Sequence, residues 1–238
     1  MFNLTLYKHE VLRSVKTFVI FAVLLAFELI STITMYQPEM QKMLDSIMEM
    51  MPELAGVLGM ATGATTLDGY IASYMYGFVM QTIPMVFVCL CVNRAVASYV
   101  DRGSIANLLV SPVKRAEIAV TQMFAIVTSV FALIAFSAGF QIVIAEVMFP
   151  NELDVGSFIV LNIGLLALQL FIAGFCFLCS CIFNDSKYSI GIGAGVPALM
   201  FILKMLASSG ESVENIKYAT FFTLFQPENI IAWDAGAL

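Results

Sequence analysis

The chain has 238 residues, of which 61% are hydrophobic and only 12% charged. Soluble domains run near half and a quarter, so a water-soluble fold is excluded. The formal net charge of −6 disfavours a nucleic-acid partner, although in a membrane protein the distribution of charge matters more than its total.

Five apolar blocks, each long enough to cross a bilayer, predict an all-α polytopic membrane protein, a single membrane domain over residues 1–238. Residues 1–16 mix Leu4, Leu6, Tyr7, Val11 and Leu12 with Lys8, His9, Glu10, Arg13 and Lys16, which predicts a short interfacial helix lying along the membrane surface. The first span is expected from Thr17 to Tyr36, interrupted by Glu28 and ended by Gln37-Pro38. It is too long for a signal h-region and lacks a small-residue cleavage site, so it stays as a span.

Residues 37–67 form an outer loop. Its Met40, Met43, Met48, Met50 and Met51 are of a type that ligates copper(I), but Met40, Met43, Leu44, Ile47, Met48 and Met51 also make one helical stripe suited to packing. The second span, Tyr70 to Val92, carries Pro84 near its middle. Residues 93–117 follow as a cytoplasmic segment, too apolar for a free loop. Val96, Tyr99, Val100, Ile105, Leu108, Leu109 and Val113 recur at near-helical spacing, so it should be amphipathic and bury one face on lipid or on a partner.

The third span covers Ile118 to Ala145, longer than the ~20 residues a bilayer requires, and the fourth Phe158 to Phe183. The fifth, Tyr188 to Ala207, contains Gly191, Gly193, Gly195 and Pro197; Gly191 and Gly195, four apart, suit close helix packing at a dimer interface. Residues 208–238 are an outer tail, in which Phe221 to Trp233 reads as a re-entrant or surface stretch and not a span. Placing the N-terminus in the cytoplasm puts Lys8, Arg13, Lys16, Arg94, Arg102, Lys114, Arg115 and Lys187 inside and leaves Lys42, Lys204 and Lys217 outside, the orientation that the distribution of Lys and Arg favours.

Five cysteines all sit in apolar runs: Cys89, Cys91, Cys176, Cys179 and Cys181. With His9 the only histidine, they read as small apolar fillers, and no metal site is expected. Glu28 is the acidic residue well inside a span, where a charge costs on the order of 2.5 to 3.5 kcal/mol. It is either a pathway carboxylate or a packing residue, and no span core offers it a basic partner. Gln81, Thr82, Asn162 and Gln169 either line a path or satisfy backbone groups between helices. No serine, histidine and acid constellation accompanies the carboxylates, so an enzyme is not expected.

The stretch Asp101-Arg102-Gly103-Ser104, then Leu108-Leu109, then Pro112-Val113-Lys114-Arg115-Ala116-Glu117-Ile118, resembles the signature of type-2 ABC transporter permeases. Leu67-Asp68-Gly69-Tyr70 is similar to the start of the second span in the same group. Departures are Ser104 for threonine, Lys114 for serine and Gln122 where lysine is common. The resemblance implies an ABC exporter subunit at the bacterial plasma membrane, working as a homo- or heterodimer. It also implies a separate ATPase partner, contacted through Asp101, Arg102, Gly103, Leu108, Leu109, Pro112, Lys114 and Arg115. ATP and magnesium would be held by that partner and no cofactor by this chain, whose sequence has no Gly-x-x-x-x-Gly-Lys-Ser/Thr phosphate loop. The family has six spans with both ends inside, so a sixth span is expected beyond Leu238. A non-transporting immunity or sensor module of the same fold is the alternative.

Overall fold

The computed structural model describes residues 3–36, 46, 50–51, 67–97, 115–183, 185–207, 220–227 and 230, with backbone alone for Val96, Ala97, Arg115 and Ser186. Described residues are helical, with no strand among them. Four helices are long and apolar enough to cross a membrane, and a bent pair makes up to five. The fold is that of a multi-pass helical membrane bundle.

Helix α1 runs Leu4–Thr34 without interruption. The separate interfacial helix expected over residues 1–16 is therefore not a separate element. No Pro or Gly lies between Leu4 and Thr34 to break the ladder, and the Asn3 side chain caps the start by accepting from the Leu6 N–H at 3.0 Å. One stripe, Glu10, Thr17, Ala22, Leu25, Leu29 and Ile33, stays buried along its whole length. At 31 residues the helix is about 46 Å long, against ~30 Å of bilayer hydrocarbon, so about a third of it projects beyond.

The second span is a bent pair. Helix α2, Leu67–Ile71, widens into a π turn over Ala72–Tyr76, and α3, Val79–Val92, ends in another over Asn93–Ala97. The third is α4, Arg115–Met148. After it Asn151 takes a left-handed φ of 62°, a conformation asparagine tolerates, and the chain turns into α5, Val155–Ile182. The last long helix is α6, Ser186–Ala207.

Contacts fix the relative directions. Asn3 meets Thr121, Tyr7 meets Thr128, Phe18 meets Phe136 and Tyr36 meets Phe149, so α1 and α4 run parallel. Arg13 meets Arg94 while Tyr36 meets Tyr70, so the second span returns antiparallel to α1. Tyr76 meets Asn162 and Cys89 meets Cys176, which sets α5 parallel to the second span, and Ser180 with Ser189 sets α6 antiparallel to α5. The directions alternate as successive crossings require. At the end where α1 begins lie Lys8, Arg13, Lys16, Arg94 and Lys187; Asp68, Glu146, Glu152 and Asp154 lie at the opposite end, toward which Lys204 in the last turn of α6 also sits.

Polar residues turn inward. On α4 the buried positions Thr121, Gln122, Ser129, Ser137 and Gln141 share a stripe with Ile126, Val130 and Leu133, while Val120, Phe124, Phe131 and Val143 face outward. This is the reverse of a soluble protein and suits a lipid surround. Of the tail, residues 220–227 and 230 are described: Phe221–Leu224 is a single 3-10 turn whose Phe222 packs on Phe201, and Phe225 closes on Gly164, where an added Cβ would stand 3.1 Å from the ring.

Asp154 caps α5, accepting from the Ser157 hydroxyl at 2.5 Å and the Gly156 N–H at 3.0 Å, while its own N–H donates to the Asp68 carboxylate at 3.1 Å. The Ser157 hydroxyl, then the Gly156 N–H, hold this carboxyl below its ordinary pKa. A depressed carboxylate stabilises the fold above its unfolded pKa near ~4 and loses that contribution as pH falls through the folded value. Asp154→Ala should cost about 1 kcal/mol at neutral pH. The gap in melting temperature between wild type and variant, measured in detergent, should shrink as pH is lowered from 6 to 3; a gap independent of pH would show that the carboxylate is not what caps the helix.

Candidate functional site

The bend in the second span measures 45°. It falls at Gly77-Phe78, directly after the π turn, and Phe78 leaves helical geometry at φ −127° and ψ −60°. Pro84 lies inside α3, downstream of the break. The π turn carries one extra residue and shifts the register of the ladder, which is what opens the helix there. Thr82 restarts the ladder on the far side, its N–H and hydroxyl both donating to the Phe78 carbonyl at 3.0 and 2.9 Å.

Side-chain amides gather around this break. Gln81 Nε2 donates to the Tyr76 carbonyl at 2.8 Å, and Gln169 Nε2 from α5 donates to the Gln81 carbonyl at 3.0 Å. Lys204, near the C-terminus of α6, donates from Nζ to Gln81 Oε1 at 2.8 Å and lies 5.9 Å from the centre of the Phe201 ring. The Tyr76 hydroxyl lies 2.9 Å from both Gln141 Oε1 and Asn162 Oδ1. Its single proton serves one of these acceptors at a time. Gln141 Nε2 reaches Met75 Sδ at 3.1 Å, and Asn162 Nδ2 returns to the Phe158 carbonyl at 3.0 Å. Tyr76, Gln81, Gln141 and Gln169 are wholly buried.

The amides thus do what their second reading proposes and satisfy backbone carbonyls, including the one released at the break. One acceptor is left over. Gln169 Oε1 is buried without a hydrogen-bond partner among the described residues. Lys204 is expected on the outer side at the end of the fifth span, and no span core was expected to hold a basic group; in the structure its ammonium joins this core. The helix C-terminus beside it, with its partial negative charge, is a favourable place for a cation.

Glu28 is not part of this core. It is half-buried on α1, between the buried Leu25 and Leu29 and the exposed Leu24 and Phe27, whereas the core's hydrogen bonds join the second span, α4, α5 and α6. Of the helix-packing glycines, Gly193 is the one that packs within the chain, 3.4 Å from Cys179 Cβ where its own Cβ would be. Gly191 and Gly195 lie exposed, with nothing within 4 Å.

At the basic end a second set of bonds ties three helices together. Arg13 donates to the Arg94 carbonyl at 3.1 Å, Arg94 to the Thr17 hydroxyl, and Gln122 Nε2 to the Ala95 carbonyl at 2.5 Å. The Asn3 N–H donates to Thr121 Oγ1 at 3.2 Å. These bonds clamp the end of the second span and the start of α4, the two anchors of residues 98–114. Asp101, Arg102, Gly103, Leu108, Leu109, Pro112 and Lys114 lie outside the described residues, as do most of the outer loop and the tail; Arg115 opens α4.

Sequence reasoning picked out Gln81, Asn162 and Gln169 but missed Tyr76, Gln141 and Lys204. Tyr76 counts as apolar in any hydropathy sum, and a lone glutamine in a 34-residue helix does not change its composition. Tyr76→Phe would leave Gln141 Oε1 and Asn162 Oδ1 short of a donor, so a cost of ~1–3 kcal/mol is expected in detergent thermal melts. The double variant Tyr76→Phe with Asn162→Leu should recover part of it; equal melting of Tyr76→Phe and wild type would exclude the hydroxyl from the network. Compared with known proteins, the chain matches no family model, no curated sequence and no solved structure.

Proposed function

We propose that this chain is the membrane-spanning subunit of an ATP-driven exporter of the type-2 ABC kind. It works in the bacterial plasma membrane as a dimer with its N-terminus in the cytoplasm. The reading rests chiefly on one observation: an apolar, basic segment carrying Asp101-Arg102-Gly103, Leu108-Leu109 and Pro112-Val113-Lys114-Arg115 leaves the bundle at its basic end. Its two anchors there are clamped by Arg13, Arg94 and Gln122. A segment held at both ends can transmit force from a docked ATPase into the second span and α4. The second span is already broken midway, a place where such a push can be taken up by bending. ATP and magnesium belong to the partner, because no phosphate loop occurs in the sequence.

Truncating central apolar anchors of an interface costs ~2 kcal/mol or more, while rim charges cost less. Leu108→Ser with Leu109→Ser should therefore release the ATPase and leave insertion intact, since the basic residues that orient the chain are kept. Co-purification and ATPase activity in the reconstituted complex are the readouts. Wild-type values of both in the double variant would reduce the segment to a surface connection and favour a non-transporting immunity or sensor module.

The dimer is expected to pair along α6. Gly191 and Gly195 are exposed, and an added Cβ at either would meet nothing within 4 Å among the described residues, which supports contact with a second copy. Single cysteines at positions 191, 195 and 199 should crosslink between chains in membranes, on a background lacking the native cysteines. Failure at all three in a complex that still transports would move the interface elsewhere.

A further inference from the structure

Two thiols that are 87 residues apart in sequence are brought together where α3, α5 and α6 meet. Cys89 Sγ and Cys176 Sγ stand 3.9 Å apart, and Cys176 Sγ donates to the Gly193 carbonyl at 2.9 Å. Gly193 packs against this turn of α5, a Cβ there standing at ordinary contact distance, 3.6 Å, from the Cys176 backbone. The thiols border a cavity of ≈ 10 Å³, about the room one water needs, which is also lined by Asn93, Ser180 and Ser189. Ser189 and Ser180 are bonded to each other at 2.8 Å, and the lining leads toward the basic end of the bundle.

We propose that Cys89 and Cys176 form a two-coordinate site for a soft monovalent cation of the copper(I) or silver(I) type. Thiolates select soft ions, and the separation is close to what one needs: two metal–thiolate bonds of about 2.3 Å each span up to ~4.6 Å when straight, so thiols 3.9 Å apart reach a common ion once they move apart by less than ~1 Å. Zinc is disfavoured because it takes four ligands, and no group of three Cys, His, Asp or Glu side chains gathers among the described residues. On binding, both S–H bonds break and their protons leave to solvent, two S–metal bonds form, and no oxidation state changes. The resulting bis-thiolate carries one negative charge, and the Asn93 amide and the serine hydroxyls are the donors at hand for it. The site stands apart from the export reading and does not depend on it.

The test uses the full chain, purified in detergent with a reductant that does not bind metal. One equivalent of silver(I) should slow maleimide alkylation of Cys89, read by mass spectrometry, at least tenfold, and leave the exposed Cys181 unchanged. In competition with a chromophoric copper(I) chelator, Cys89→Ser and Cys176→Ser should each weaken copper(I) retention at least tenfold, and Cys181→Ser should not. The protection assay needs no variant, so a misfolded mutant cannot decide the matter. Unchanged alkylation of Cys89 in the presence of silver(I), or copper(I) retention by the Cys89→Ser, Cys176→Ser double variant equal to wild type, would overturn the site.

Discussion

Inside an apolar bilayer no water competes for hydrogen bonds, so each backbone N–H and C=O must find its partner within the protein. The arrangement of this chain follows from that constraint. Long uninterrupted helices satisfy it locally, as α1, α4 and α5 do over their whole lengths. Uncharged polar side chains such as Ser129, Gln141 and Asn162 then turn inward, and the valines and phenylalanines of the same helices turn to lipid.

The break in the second span is where local satisfaction fails and tertiary structure takes over. A π turn followed by Phe78 interrupts the ladder, the Gln81 amide reaches back to the Tyr76 carbonyl across the break, and the Gln169 amide adds a bond to the Gln81 carbonyl. Each amide has its own oxygen to satisfy, which draws Lys204 onto Gln81 and leaves Gln169 Oε1 without a partner among the described residues. Such a core costs more per group than an apolar one, because unmet acceptors in low dielectric are expensive. A bent span held by a few side-chain bonds is also easier to re-bend than a straight helix, whose whole ladder resists.

The two ends of the bundle differ in the same way for electrostatic reasons. At the basic end Arg13 and Arg94 reach backbone and hydroxyl oxygens of neighbouring helices, so their charges organise the exits of the second span and α4. At the other end Asp68 and Asp154 meet through a backbone N–H and order the start of α5. Two sets of short polar contacts thus pin the bundle top and bottom, with the broken span between them.

Composition and apolar run length alone determined the class, a helical membrane protein with several crossings, because ~20 apolar residues have no other stable setting than a helix across lipid. Continuity of α1 was not legible: polar residues 8–16 look like a surface helix until α4 is there to bury Glu10 and Thr17. The bend of the second span was not legible either, since a π turn depends on which carbonyls neighbouring helices can satisfy. The polar core was half visible. Gln81, Asn162 and Gln169 stand out in apolar runs, but their partners Tyr76, Gln141 and Lys204 come from elsewhere in the chain, and so does Cys176 beside Cys89. Hydropathy reports what a segment contains; only packing decides which helices meet and which of their polar atoms share a hydrogen bond.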